Sequence, residues 1–325
     1  MNRKECFTNI LISNKLGKDC QLIIIGYSEP FMTYLYSRPS MSNYVPTHYR
    51  THTLGEIQTN GADLVDTVVT VAGFMEANRG KGAICFVDLR DGTGKTQIFL
   101  KADNIGEEAL DMVQRMTRES TLQFTGKVSE KRPPKLKEGE TAPPPAYEVI
   151  AESVVVIAKA EAPLPLGVTD TVHVELDTRL DNRFLDLRRA HIAAMFRLRG
   201  KVLQYGREAL INEGFFETHT PKIVATATEG GTDLFPMQYF DTPAFLNQSP
   251  QLFKQLCMSG GLERVFEIGP AFRAEKHDTY RHLNEFISFD IECSWATDDD
   301  VMGVLERMIH HMWQSIANDE ESKSY

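Results

Sequence analysis

From about Arg50 to Ala158 the chain reads as β structure, with apolar and polar positions alternating in short runs that turn signals interrupt. Val68-Val69-Thr70-Val71-Ala72-Gly73-Phe74 reads as a β-branched strand, and Gly80-Lys81-Gly82 as a turn. Ala83 to Arg90 predicts a second strand, Asp91-Gly92-Thr93-Gly94 a tight turn, and Thr96 to Leu100 a third strand. A helix is predicted from Glu107 to Arg118, followed by a strand from Leu122 to Val128. The proline-rich run from Arg132 to Pro145 predicts a long loop, and Tyr147 to Ile157 alternates as a last strand. Five short strands with one interposed helix predict a small closed barrel.

The second half has a different rhythm. Residues 159–187 contain Glu161-Ala162-Pro163-Leu164-Pro165-Leu166-Gly167, which cannot hold regular structure and reads as a linker. From His191 to Asn212 the positions Ile192, Phe196, Leu203 and Leu210 recur at helical spacing, and Gly214 is placed to end that helix. Strands and loops alternate up to Trp295. Asp298-Asp299-Asp300 then stands where it would cap a final helix from Val301 to Ile316. Residues 1–47 show no clear period and read as a loosely ordered extension, or alternatively as an appended interaction segment. The pattern gives an α+β chain divided at 1–47, 48–158, 159–187 and 188–325.

Composition narrows the class. The 325 residues are 42% hydrophobic and 25% charged, enough for one large or two medium cores. No apolar run approaches the roughly 18 residues of a membrane span, and Leu22-Ile23-Ile24-Ile25 is too short for a signal core. No membrane association and a cytoplasmic location are therefore expected. Cys6, Cys20, Cys85, Cys257 and Cys293 form no CxxC pair, so neither a zinc ribbon nor a disulfide framework is indicated. The net charge of −10 argues mildly against nucleic-acid binding by the whole surface, but a local basic or aromatic face is enough for RNA.

Five segments concentrate chemistry. Gly214-Phe215-Phe216-Glu217-Thr218-His219-Thr220-Pro221 joins the long helix to a strand. Ala225-Thr226-Ala227-Thr228-Glu229-Gly230-Gly231-Thr232 sets one carboxylate in a loop of small residues, suited to an ammonium group or simply to water. In Asn247-Gln248-Ser249-Pro250-Gln251-Leu252-Phe253-Lys254-Gln255, Ser249-Pro250 opens a helix that puts Gln251 and Lys254 on one face. That face could hold a small anionic ligand, or be an ordinary solvated one. An apolar strand, Val265 to Phe272, delivers Arg273 and Glu275 to one side of a sheet, and a polar loop returns Arg281 and His282. An arginine there suits a phosphate through its planar fork, although a lone RxE pair is more often a structural ion pair. Asp290 and Glu292 share a face of the returning strand, open alternatively to solvent.

In this order, the five segments resemble the class II aminoacyl-tRNA synthetases. Gly214 to Pro221 looks like their first motif, and Phe272-Arg273-Ala274-Glu275 through Asp290 like their second. Thr228-Glu229-Gly230-Gly231, Gln248 to Gln255 and Arg281-His282-Leu283-Asn284-Glu285 are similar to the aspartyl branch of archaeal and eukaryotic type, as is Asp177 to Phe184. The resemblance implies an N-terminal five-stranded barrel of the oligonucleotide-binding (OB) type that reads the anticodon, and then part of an antiparallel-sheet catalytic domain.

By the same resemblance, Glu229, Gln251, Lys254, Arg273 and Asp290 would bind L-aspartate. Arg273, Glu275, Arg281, His282 and Leu283 would bind ATP. Phe86 and Gln97 would contact the anticodon, and Pro221 would lie at a dimer interface. Expected partners are tRNA(Asp), L-aspartate and a second copy of the full-length chain; tRNA(Asn) stays open because some relatives charge both. The family's third motif and its magnesium-binding carboxylates have no counterpart before Tyr325, so this chain is expected to be inactive alone and its Mg2+ ligands to lie outside it. The competing reading is a non-catalytic tRNA-binding paralogue.

Overall fold

The computed structural model describes residues 47–133, 143–169, 172–227, 233–277, 279 and 282–323. The chain divides into two compact units between Ala162 and Pro163. Among the described residues, no helix is long and apolar enough to cross a membrane.

The first unit opens with two short helices, α1 (Leu54–Thr59) and α2 (Gly61–Leu64). They lie in a stretch that the alternation had assigned to β structure. The reason is local: the Thr53 hydroxyl accepts from the Glu56 amide while the Glu56 carboxylate accepts from the Thr53 amide, a capping box. Next come β1 (Val68–Lys81), β2 (Ile84–Arg90), β3 (Lys95–Lys101), α3 (Ala102–Ile105), α4 (Glu107–Gln114), β4 (Thr121–Glu130) and β5 (Tyr147–Ala158). The five strands close into a barrel in the order β1-β2-β3-β5-β4. Alternate residues fill it, among them Val69, Val71, Val87, Leu89, Ile98, Leu100, Leu122, Phe124 and Val149, and Leu54 and Ile57 of α1 join the same core. Two boundaries differ from expectation. β1 continues through Gly80 and Lys81, so the turn falls at Gly82. The predicted helix stops at Gln114 instead of Arg118.

The second unit begins in the stretch read as a linker, yet it holds α5 (Leu176–Asp181) and α6 (Arg183–Asp186). A buried charge accounts for this order. Asp186 has no exposed side-chain surface and pairs with Arg179 at 2.9 Å and Arg183 at 2.5 Å, with Arg189 at 3.9 Å. A buried carboxylate demands such partners. Then follow α7 (Ala190–Asn212), β6 (Phe216–Glu217), β7 (Ile223–Val224), β8 (Pro236–Tyr239), β9 (Thr242–Leu246), α8 (Gln251–Ser259), β10 (Arg264–Phe272), β11 (Glu285–Cys293), α9 (Asp298–Asn318) and α10 (Glu320–Lys323). Gly214, at φ +80°, takes the left-handed turn that ends α7.

β10 lies between β11, which it pairs antiparallel from Arg264↔Cys293 to Phe272↔Glu285, and β6, which it pairs parallel. One face of this sheet packs Phe266, Ile268, Phe289 and Ile291 against Ala209 and Leu210 of α7 and Val304 and Met308 of α9. The opposite face carries the polar residues of the candidate site. The cap of α9 also corrects the sequence reading: Thr297 is the cap, Asp300 closes the capping box on it, and Asp298 and Asp299 lie in the first turn. There they still meet the positive end of the helix dipole.

Candidate functional site

In the second unit, α8 is laid against β11. Ser249 prepares its start, its hydroxyl accepting from the Gln251 amide at 3.4 Å. From there Gln251 and Lys254, three residues apart, point to the same neighbours. Lys254 is 2% exposed, so its ammonium is not on a solvated helix face. Its Nζ lies 3.3 Å from Asp290 Oδ1 and 3.4 Å from Glu292 Oε2, and it donates to the Ile291 carbonyl at 3.4 Å. Gln251 Nε2 donates to the same Glu292 Oε2 at 3.0 Å. One carboxylate oxygen thus holds both α8 side chains. Removing an ammonium from water requires such anionic neighbours. The two carboxylates keep about a fifth of their side-chain surface open, so a small charged ligand can exchange with these contacts.

Across β10, opposite Asp290 in the ladder, Glu267 is 1% exposed. Its Oε2 accepts from the Thr220 hydroxyl at 2.7 Å and the Thr220 amide at 3.3 Å, and its Oε1 pairs with Lys222. At the end of the strand, Arg273 stacks its guanidinium over Phe286 at 5.4 Å. The strand itself ends at Phe272, but the Arg273 amide still donates to Asn284 O at 2.9 Å. Glu275 lies beyond the strand instead of on its face. Asn284, with its amide nitrogen turned inward, donates to the carbonyls of Arg273 and Glu275 at 3.1 and 3.0 Å. His282 meets the Thr279 hydroxyl at 2.6 Å and stacks at 5.0 Å on His277. Leu283 stays on the surface, and Pro221 is exposed with its carbonyl accepting from Asn247. Glu229 and Arg281 lie outside the described residues.

The structure therefore gathers Gln251, Lys254 and Asp290 at one point and adds three groups that the sequence reading left without a role: Glu292, Glu267 and Lys222. Glu292 carried a usable signal, its spacing of two from Asp290 on one strand. Glu267 and Lys222 are far apart in sequence and carried none. No group of three or more His, Cys, Asp or Glu side chains suited to a metal ion occurs among the described residues.

The barrel of the first unit presents a second polar surface on the outer faces of β2 and β3. Phe86 and Phe99 are directly paired across the two strands, with ring centroids 5.2 Å apart. Beside them Gln97 donates to Glu148 at 2.7 Å and accepts from Lys131 at 2.8 Å. Arg79 pairs with Asp88 at 2.9 Å. Aromatic faces flanked by oriented hydrogen-bonding groups are what an unpaired base requires.

Residues 175–324 match the class II tRNA synthetases (D, K and N), and residues 69–157 match the OB-fold nucleic acid binding domain. The second unit thus carries a match to the class II tRNA synthetases and the barrel a match to an OB-fold nucleic acid binding domain. The chain's relatives include the aspartate–tRNA(Asp/Asn) ligase of Methanococcoides burtonii, 49% identical over 83% of this chain and 59% of that protein. The aspartate–tRNA(Asp) ligase of Picrophilus torridus is 47% identical over 80% of this chain and 58% of its own length. The chain thus spans just under three fifths of these relatives. Among solved structures, the aspartyl-tRNA synthetase of Entamoeba histolytica superposes with a TM-score of 0.65 at 30% identity, over 86% of this chain and 57% of that one. The asparaginyl-tRNA synthetase of Pyrococcus horikoshii, complexed with asparaginyl-adenylate, gives 0.65 at 30% identity, over 79% and 59%.

Proposed function

We propose that this protein is an aspartate–tRNA ligase, activating L-aspartate with ATP and transferring it to tRNA(Asp). The observation that carries the reading is Lys254, a buried ammonium held between two partly exposed carboxylates. In this reading Lys254 takes the side-chain carboxylate of aspartate. A neutral asparagine would leave that ammonium short of charge, so it is disfavoured. Asp290 and Glu229 receive the α-ammonium of the substrate, and Gln251 orients it. Arg273 meets both the α-carboxylate and the α-phosphate of ATP, its plane fixed by Phe286. Glu275, Arg281, His282 and Leu283 line the nucleotide.

The first step needs no protein nucleophile. An oxygen of the aspartate α-carboxylate attacks the α-phosphorus, the bond to pyrophosphate breaks, and aspartyl-adenylate forms. A ribose hydroxyl at the tRNA end then attacks the acyl carbon, and AMP leaves. The side chains contribute alignment and neutralisation of charge. Magnesium is expected with ATP in this family, but the described residues offer it no gathered ligand set, and no step is derived through it. Phe86 would stack on an anticodon base and Gln97 would read an edge. The working division is an extension at 1–47, the anticodon domain at 48–158, a hinge at 159–187 and part of the catalytic domain from 188, dimerising through the Pro221 edge.

The test is aspartate-dependent ATP–pyrophosphate exchange. It would be run on the chain alone and with the C-terminal two fifths of the Methanococcoides burtonii ligase supplied in trans. Exchange with L-aspartate and none with L-asparagine is expected. Failure under both conditions, with tRNA still bound, would replace this reading by that of a non-catalytic tRNA-binding protein.

A further inference from the structure

Glu267 is the most deeply buried carboxylate of the pocket-facing sheet, and the reaction just described has no use for it. Its side chain leans along β10 into space left by Gly269: a Cβ at that position would stand 2.9 Å from Glu267 Oε1. The sequence has thus kept room for this carboxylate. What it holds is the segment 220–222, through Thr220 and Lys222.

That segment is gripped from its other side by Asn247, which is 1% exposed. Asn247 Nδ2 donates to Pro221 O at 3.1 Å and its amide donates to Lys222 O at 2.9 Å. Its carbonyl accepts from the Phe272 amide at 3.0 Å, immediately before Arg273, and its Oδ1 accepts from the Ser249 amide at 2.9 Å, two residues before α8. A continuous set of hydrogen bonds therefore runs from Glu267 through residues 220–222 and Asn247 to the starts of both ligand-facing segments.

We infer that Glu267 and Asn247 are positioning residues of the amino-acid pocket, acting through residues 220–222 to set where Gln251, Lys254 and Arg273 stand. Neither touches the ligand. Both act on its geometry, where a displacement of about 1 Å can cost up to about 100-fold. The inference rests on the aspartate–adenylate reading of the same pocket.

The experiment is a double-mutant cycle on ligand affinity. The probe is 5′-O-[N-(L-aspartyl)sulfamoyl]adenosine, titrated by calorimetry into the full chain at a temperature where circular dichroism shows every variant folded. Glu267→Gln and Asn247→Ala are each expected to weaken binding about tenfold, and the double variant far less than the product of the two, because they interrupt one chain of contacts. Thr220→Val, which removes the 2.7 Å hydroxyl bond to Glu267 and the 3.1 Å bond that the hydroxyl accepts from Lys222 but keeps the Lys222–Glu267 ion pair, is the milder variant and should weaken binding in the same direction. Losses that multiply, or affinity within about twofold of the parent in all three, would overturn the inference and leave the aspartate reading intact. No binding of the probe by the parent chain, either alone or with the C-terminal part supplied in trans, would instead overturn that reading, and the positioning role with it.

Discussion

Replacing Lys254 by methionine keeps nearly all of the side-chain volume and removes its ammonium, and with it the charge and the bond to the Ile291 carbonyl. At 3.3 and 3.4 Å from two carboxylates, each attraction has a gross value of about 5 kcal/mol at an effective dielectric constant near 20. Most of that is offset by desolvation of the three groups, and breaking such a pair from one side costs about 3–5 kcal/mol net. Asp290 and Glu292 are each 20% exposed, so water takes over part of the loss and the lower end, about 3 kcal/mol, applies. For a unit of some 160 residues this lowers the melting temperature by about 6–12 °C. Scanning calorimetry measures it. Trp295 and Trp313 are the only two tryptophans and both lie in the second unit, so their fluorescence identifies the right transition. Adding Asp290→Asn and Glu292→Gln to Lys254→Met should recover most of the stability, because the uncompensated charges then disappear together. A Lys254→Met protein melting within about 2 °C of the parent would refute the reasoning, since it would mean that the ammonium is not held as described.

Three further outcomes follow from other parts of the chain. Burial by itself would raise the Asp186 carboxyl, but the Arg179 hydrogen bond and the charges of Arg179, Arg183 and Arg189 outweigh it and hold the group below its ordinary range. Its contribution is therefore complete above the unfolded value of about 3.9 and is lost as pH falls through the lower folded value. Asp186→Asn should be less stable than the parent by a constant amount above about pH 5, with the gap narrowing in acid, as denaturant titrations at several pH values would show. Phe86→Ala should weaken binding of an anticodon stem-loop by about tenfold with no change in the salt dependence, because stacking and not phosphate contact is lost; a flatter salt slope at unchanged affinity would contradict it. Thr297→Ala removes the cap of α9 and should cost about 1 kcal/mol, read as a melting shift of about 2–4 °C.

Where one period governed a stretch, the sequence was readable. The β strands alternate Val69, Val71 and Val87, Leu89 into one core, and α7 begins and ends within a residue of its expected bounds. Gln251 and Lys254 were placed together by helical spacing alone. What stayed hidden needed contacts between distant segments. The helices at 176–186 form in a stretch with no apolar period, held by a buried ion cluster. α1 was lost to a β assignment although Thr53 and Glu56 spell its cap. Glu267 lies 45 residues from Lys222, and no local rule links a strand glutamate to a loop lysine. Arg273 and Glu275 were read as sharing a sheet face, but the strand ends before both.

β10 and β11 pair over nine consecutive residues with no bulge, and this has a consequence for how the pocket comes into being. A slip of one residue would turn Phe289 and Ile291 outward and push Asp290 and Glu292 into the oil of the α7–α9 core. The chemistry and the core are thus two sides of a single alignment. The chain cannot bury one without assembling the other, so errors in folding this hairpin are discarded as unstable chains before they can act as inaccurate ligand sites.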